Sequence, residues 1–149
     1  MFGAGVVAQH VWDTLRTRQP IRDALGSRPR IHNLMLAPQG STYPLALHYA
    51  ENGAYTGPVQ SGIRPTEETV QYVLRLICQG ESDAPIRAAA EDAMDALTLE
   101  FSEATVTHNG ADYSLSILPT NEWPITTVAE GGVLYRQLGF YLSVQIFRL

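Results

Sequence analysis

Residues 65–101 read PTEETVQYVLRLICQGESDAPIRAAAEDAMDALTLEF and decide the fold. The first part alternates apolar and polar residues, which predicts a strand with one apolar face. The apolar members of this strand are Val70, Tyr72, Leu74, Leu76 and Cys78. In the second part the apolar residues recur at intervals of three and four, which predicts a helix. Its apolar stripe is Ile86, Ala89, Ala90, Ala93 and Leu97, and the small alanines allow it to pack closely on one face of a sheet.

The preceding segment predicts one main helix and two strands. Apolar residues at helical spacing indicate a first helix that Pro20 interrupts, and they are Ala8, Val11, Trp12 and Leu15. Gly3 and Gly5 belong to no phosphate-binding motif, so we expect them to form a flexible terminus. Short strands at 31–36 and 45–50 flank a turn-rich connection, and we expect these two strands to pair as a hairpin.

The C-terminal third predicts three further strands. Asn109-Gly110 stands between alternating residues, which indicates a tight hairpin in which Val106 pairs with Tyr113. The final strand is apolar on both faces, with Leu134, Leu138, Phe140, Leu142, Val144 and Ile146 on one and Tyr135, Tyr141 and Phe147 on the other. We therefore predict a single α+β domain over residues 1–149, with an antiparallel or mixed sheet and helices packed on one face.

Two stretches rich in glycine, proline and polar residues predict exposed loops at 52–65 and 119–132. Loops of this length in a compact domain commonly carry function. The second loop places Trp123 next to Pro124. An aromatic side chain in such a loop either contacts a partner or folds back on its own domain, and the sequence leaves both alternatives open.

Composition limits the class of function. A chain of 149 residues with 45% apolar and 17% charged residues fits one globular domain. We recognise neither an apolar run long enough to span a membrane nor a secretory leader, so we expect a soluble protein made inside the cell. The net charge of −5 argues against general nucleic-acid binding. Five arginines nevertheless lie close together in the sequence and suit either a solvated helix face and loop or contact with an acidic partner or phosphate: Arg16, Arg18, Arg22, Arg28 and Arg30.

The sequence contains no recognisable catalytic, metal-binding or nucleotide-binding motif. Cys78 stands alone on the apolar face of its predicted strand, which favours a buried thiol over a nucleophile. A small-ligand site would have to bring together His48, Tyr49 and His108, and we keep such a binding module as one hypothesis. Otherwise we expect no enzymatic activity, no cofactor and no metal site.

The order of elements resembles the tail terminator, or tail-to-head joining, proteins of long-tailed bacteriophages. The resemblance is carried by the helix around Val11, Trp12 and Leu15 and by the turn and strand PQGSTYPLALHY at 38–49. It continues in the helix AAAEDAMDAL at 88–97 and in the ending YRQLGFYLSVQIF at 135–147. It covers nearly the whole chain as an order of elements, and no single residue defines it.

The resemblance implies a subunit that assembles as a ring, six-membered in that family, on the completed tail tube. Such a ring stops tube polymerisation, joins the tail to the head connector and lets DNA pass through its lumen without sequence-specific binding. Its partners are copies of itself, the tail tube protein and the head-side connector or stopper protein. It needs no catalytic residue, no cofactor and no membrane, and its place is the tail or neck of the virion after synthesis in the cytoplasm of the host bacterium.

Under this interpretation we expect Tyr135, Tyr141 and Phe147 to form the subunit interface. The two loops would supply the axial contacts through Tyr55, Ile63, Arg64, Trp123 and Ile125. Another head-to-tail connector or stopper of related fold is the alternative, because the pattern does not separate the ring that caps the tube from the ring that it meets.

Overall fold

The structure is a computed structural model that describes residues 3–55, 67–98, 103–128 and 130–149, with the backbone alone at 52–55, 103, 119–128 and 130. These residues form three helices, six strands and a short 3-10 turn. The helices are α1 (Gly3–Leu15), α2 (Gln19–Leu25) and α3 (Ala84–Thr98). The strands are β1 (Ile31–His32), β2 (Leu45–Tyr55), β3 (Glu67–Gln79), β4 (Glu103–His108), β5 (Ala111–Val128) and β6 (Leu134–Arg148), and the turn Glu130–Gly132 precedes β6.

The six strands form one sheet in the order β1-β2-β3-β6-β5-β4. β1 is parallel to β2, whereas all other neighbours are antiparallel, so the sheet is mixed. Helix α1 contacts the neighbouring strands β2 and β3 and also β4, which lies at the far end of the strand order, so the sheet curves around this helix. The predicted α+β class, with a mixed sheet and helices on one face of a single domain, is confirmed.

The central strand and helix fold as the sequence predicts. β3 lies inside the sheet, and its five alternating apolar residues are at most 1% exposed. The stripe of α3 is at most 2% exposed and packs in the same core. A serine side chain satisfies a backbone donor at the helix start, because the Ala84 amide donates to Ser82 Oγ at 3.1 Å. Alternation and helical period therefore suffice to place this half of the core.

Helix α1 begins earlier than the sequence indicates. Gly3 and Gly5 belong to the helix, and Gly3 is buried, so the prediction of a flexible terminus is wrong. The Gly3 amide donates to the buried carboxylate of Glu68 at 3.0 Å, a favourable charge at a helix N-terminus. A Cβ atom at Gly3 would lie 2.5 Å from Ile146 Cδ1, so glycine is what permits this close approach.

The two predicted hairpins have different outcomes. Asn109 and Gly110 adopt positive φ angles of 49° and 77°, and Val106 pairs with Tyr113, so the second hairpin is confirmed. The first is wrong, because β1 is only two residues long and runs parallel to β2. The connection 33–44 does not form a tight turn that reverses the chain direction. It brings the chain back to the starting end of β1, where the Ala46 amide donates to the Arg30 carbonyl at 2.8 Å.

Strand β2 takes part of the first predicted loop. It continues to Tyr55, whose backbone pairs with Glu68, so the loop prediction is wrong at 52–55. The rest of the loop, at 56–66, lies outside the described residues.

Strand β5 takes most of the second predicted loop. It pairs with β6 as far as Val128, with a register shift between Pro119 and Asn121, so the loop prediction is wrong at 119–128. β4 pairs only with 111–116, and no described strand lies on the outer side of the remainder of β5. A strand edge without a partner tolerates proline, which cannot donate a ladder hydrogen bond, and this explains Pro119 and Pro124.

Candidate interaction surface

The three residues of the small-ligand hypothesis lie in separate environments. His48 is 2% exposed, on the side of β2 that faces the helices. Tyr49 follows it on the strand and so lies on the opposite face. His108 ends β4, where its Nδ1 lies 2.5 Å from Gln9 Oε1. The structure therefore does not bring these residues together in one pocket.

His48 is paired inside the core. Its Nδ1 lies 2.6 Å from the hydroxyl oxygen of Tyr72, and both side chains are buried. Burial lowers the pKa of His48 to about 4, with the charge of His32 as a smaller cause. Burial also raises the pKa of the Tyr72 phenol, so both groups are neutral near pH 7. This pair satisfies two buried polar groups, which is a structural role.

Cys78 has the features of a core thiol. It is 1% exposed, and its Sγ donates to the Ser82 carbonyl at 3.3 Å. Burial is the largest cause that raises its pKa, which disfavours the nucleophilic thiolate.

The described residues also contain no group of three or more histidine, cysteine or acidic side chains placed to hold a metal ion. None of the described helices combines the length and the apolarity needed to cross a bilayer.

The sheet face that points away from the helices, which we call the open face, is partly covered by the chain itself. Tyr135 lies there with its ring centroid 5.0 Å from that of Tyr43, and it packs against a second, small apolar cluster of Leu45, Leu47 and Ile77. Arg75 donates to the Met35 carbonyl at 3.1 Å and to Gln137 Oε1 at 2.9 Å. These bonds hold the connection 33–44 against this part of the sheet.

The remainder of the open face carries apolar residues that are only partly covered. Tyr141 pairs with Val73, Phe147 pairs with Glu67, and both aromatic side chains are half-buried. Leu118 lies on the same face opposite Ser143 and is 57% exposed. We call Leu118, Tyr141 and Phe147 the apolar patch. The side chains between them are uncharged and polar: Gln71, Ser116, Ser143 and Gln145.

The residues predicted to make axial contacts do not all lie in loops. Tyr55 ends β2, whereas Trp123 and Ile125 belong to β5, where their backbones pair with Gly139 and Gln137. Ile63 and Arg64 lie outside the described residues. Strands β2 and β5 therefore carry three of the five positions.

A groove that the sequence did not predict runs between α3 and β6. Its volume is about 460 Å³, and we call it the acidic groove. Its floor is apolar, with the buried Leu138 and Phe140 beside Met94. Its rim carries Asp83, Arg87, Glu91 and Asp95. In the sequence, the acidic residues of α3 have the spacing of a solvated helix face. That pattern does not indicate that an apolar surface of β6 lies beside them.

The arginine cluster splits into paired and exposed members. Arg18 donates to both carboxylate oxygens of Asp92 at 2.6 and 2.9 Å, and this bond raises the pKa of Arg18. Arg30 donates to the Pro44 carbonyl at 2.8 Å, and Arg16 lies 3.5 Å from Asp13. Arg22 and Arg28 are exposed, and no ion pair joins them to another described residue. Arg22 and Arg28 therefore have the exposure expected of a solvated surface, whereas contact of the cluster with an acidic partner or phosphate stays a prediction.

Comparisons with known proteins identify a shared fold. No family model matches the chain, and no curated protein is significantly similar in sequence. Among solved structures, a chain in the virion of a native gene transfer agent particle superposes with a TM-score of 0.59 at 16% identity. The match covers 97% of this chain and 96% of that chain, so the two share one architecture from end to end.

Proposed function

We propose that this protein is a structural component of a virion, and that it acts as a tail terminator. The observation that carries the proposal is the end-to-end fold match to a chain of a virion particle, with nearly all of both chains aligned. An enzyme would need convergent reactive groups, and the described residues offer none beyond structural pairs. The resemblance of the element order to tail terminator proteins narrows the role to the end of the tail tube.

The surfaces of the molecule support an assembly role. The apolar patch exposes Leu118 and leaves two aromatic side chains partly open on the same face. The connection 33–44 adds Leu34, Met35 and Leu36, which are 49–74% exposed. Apolar side chains exposed next to one another on a folded surface commonly mark a contact with another protein.

We infer that copies of the chain form a ring that caps the tube and meets the head-side connector. Tyr141 and Phe147 would contact other subunits through the apolar patch, with Tyr135 at its border. Tyr55, Ile63, Arg64, Trp123 and Ile125 would contribute to the axial contacts with the tube protein or the connector. DNA would pass through the lumen without base-specific contacts, which suits a net charge of −5.

Imaging and genetic removal test the role. Purified protein mixed with tail tubes should form rings at one tube end in electron micrographs, and native mass spectrometry should give the copy number. Loss of the gene should produce overlong tails. Tails of normal length with leaking heads would instead assign the protein to the connector, and a strict monomer that leaves tube ends bare would refute a ring.

A surface variant tests the apolar patch. Leu118→Asp places a charge on an exposed patch residue, so we expect the chain to fold and the ring to weaken. Leu149→Asp is the matched control, because Leu149 is 73% exposed and lies outside the patch. Equal ring yield for the two variants would remove the patch from the interface.

A further inference from the structure

The acidic groove has the composition of a docking site for a basic, partly apolar segment. Leu138 and Phe140 form its apolar floor, while Glu91 and Asp95 stand exposed on its rim. Arg87 is engaged with Asp83, so it does not neutralise the other two acids through a direct ion pair. A guanidinium group with its aliphatic stem matches both parts of such a groove, because the stem covers apolar surface and the head meets carboxylates.

The chain itself carries side chains of that kind. Arg22 lies in α2 and Arg28 in the connection to β1, and both are exposed. Their neighbours Arg18 and Arg30 are already bonded to Asp92 and to the Pro44 carbonyl. Two arginines are therefore available to an acidic partner.

The acidic groove and α2 lie along different flanks of α3, and the two sites are not remote, because Asp95 of the groove, after Asp92, contributes to raising the pKa of Arg18. α2 packs along the flank of α3 that carries Asp92, and the chain then continues into β1 at one edge of the sheet. The acidic groove lies along the other flank of α3, beside β6 and toward the β5 half of the sheet. Neither Arg22 nor Arg28 lines the groove of its own copy, which leaves that groove open to a neighbour placed beside it.

We propose that the acidic groove of one copy receives Arg22 and Arg28 of the next copy, so that this contact joins neighbours in the ring. The inference rests on the proposed ring assembly and adds a contact between charged side chains to the one proposed for the apolar patch. The two sites differ from each other, so every copy gives its arginines to one neighbour and accepts those of the other. Repetition of such a contact closes a ring when the rotation between copies fits.

Charge reversal tests the contact. Glu91→Arg alone, and Glu91→Arg with Asp95→Arg, should each lower the ring yield about tenfold or more, because like charges then face each other. Arg22→Glu should have a similar effect. Glu51→Arg is the control, since Glu51 is an exposed acid outside the groove. Far-UV circular dichroism and the unfolding midpoint confirm that each variant is folded.

Mixing two variants provides the decisive measurement. Arg22→Glu chains and Glu91→Arg chains should each fail to form rings alone but form them together, because both contacts become complementary in alternating order. Native mass spectrometry of the mixture should then show equal numbers of the two chains.

The outcomes separate the two levels of the proposal. Wild-type rings that the Glu91→Arg variants also form at full yield would overturn the groove contact and leave the ring in place. Failure of the mixture to recover rings would overturn it as well. A wild-type chain that forms no ring, alone or on tail tubes, would refute the proposed function itself.

Discussion

Acidification should destabilise the fold through His48. Its imidazole is 2% exposed and lies within hydrogen-bond distance of the Tyr72 hydroxyl, in a core of apolar side chains. A positive charge there would lose its hydration, and this loss is why burial lowers the pKa of His48 from its ordinary value of 6.5 to about 4. The folded state therefore resists protonation, whereas the unfolded chain accepts the proton readily.

The sign and size follow from linkage. Between pH 6.5 and about 4 the unfolded state binds more protons at this site than the folded state, so the free energy of unfolding falls as the pH falls. One pKa unit corresponds to about 1.4 kcal/mol. Relative to pH 8, the free energy of unfolding should therefore be lower by about 2 kcal/mol at pH 5 and by about 3 kcal/mol below pH 4. Burial also lowers the pKa of His10, which adds to the loss in the same direction.

Urea unfolding of wild-type protein and of His48→Gln at pH 8 and pH 5 isolates the contribution of His48 to the pH dependence of stability. Glutamine can still hydrogen-bond to Tyr72 but does not titrate. The decrease in the free energy of unfolding between pH 8 and pH 5 should therefore be smaller by about 2 kcal/mol in His48→Gln than in the wild type, even if the variant is less stable at pH 8. His32→Gln is the control and should keep most of the wild-type dependence. If His48→Gln loses as much stability between pH 8 and pH 5 as the wild type does, the buried neutral imidazole is not the cause.

Two further predictions concern the backbone. Gly3→Ala should destabilise the fold by about 1–3 kcal/mol, since its Cβ would meet Ile146 and Val70 at 2.5 and 2.8 Å. Thermal unfolding measures this destabilisation. Gly5→Ala is the control and should destabilise the fold less, because the nearest atom to its Cβ would be a ring atom of His108 at 3.0 Å. Equal destabilisation by the two variants would contradict the close packing of α1 at Gly3. Changing Pro119 and Pro124 together to threonine should increase self-association in light scattering at unchanged circular dichroism, because the outer edge of β5 regains two N–H donors. Unchanged scattering would show that the prolines do not protect this edge.

The sequence predicted those elements in which local pattern and tertiary environment agree. β3 alternates because one face meets the helices, and α3 has a helical apolar period because its stripe meets the sheet. The Asn109-Gly110 turn was predictable because positive φ angles restrict the residues that can occupy it. In each case one physical cause acts over a few neighbouring residues.

The errors arose where a distant part of the chain decides the outcome. Pro119 and Pro124 indicate a loop when only their own segment is considered, and they are tolerated because β4 is short and leaves the outer side of β5 without a described partner. Gly3 indicates flexibility locally, but Ile146 and Val70, far along the chain, require the absence of a side chain there. Strand β1 was predicted to pair in a hairpin, and the route of the connection 33–44 over the open face makes the pairing parallel instead.

The candidate surfaces were predictable only in part. The alternation of side chains along β6 predicted that Tyr135, Tyr141 and Phe147 share one face of the sheet, and the strand register supports this. It could not indicate that Tyr43 and the second apolar cluster would cover Tyr135. The acidic groove was invisible in the sequence, because it needs one flank of α3 and two residues of β6 that lie more than forty positions away in the chain.

If the acidic groove joins copies as proposed, the distribution of charge along α3 favours a cyclic assembly over a two-fold dimer. If the acidic groove met its own counterpart across a two-fold axis, Glu91 and Asp95 of both copies would face one another, and their repulsion would oppose the contact. The arginines proposed to neutralise it lie in α2 and in the connection to β1, and neither lines the groove of its own copy, so each groove depends on the arginines of another copy. Each contact in a head-to-tail arrangement neutralises one groove. An open chain of copies always leaves one groove charged and one pair of arginines exposed at its ends, and closure of the ring removes both.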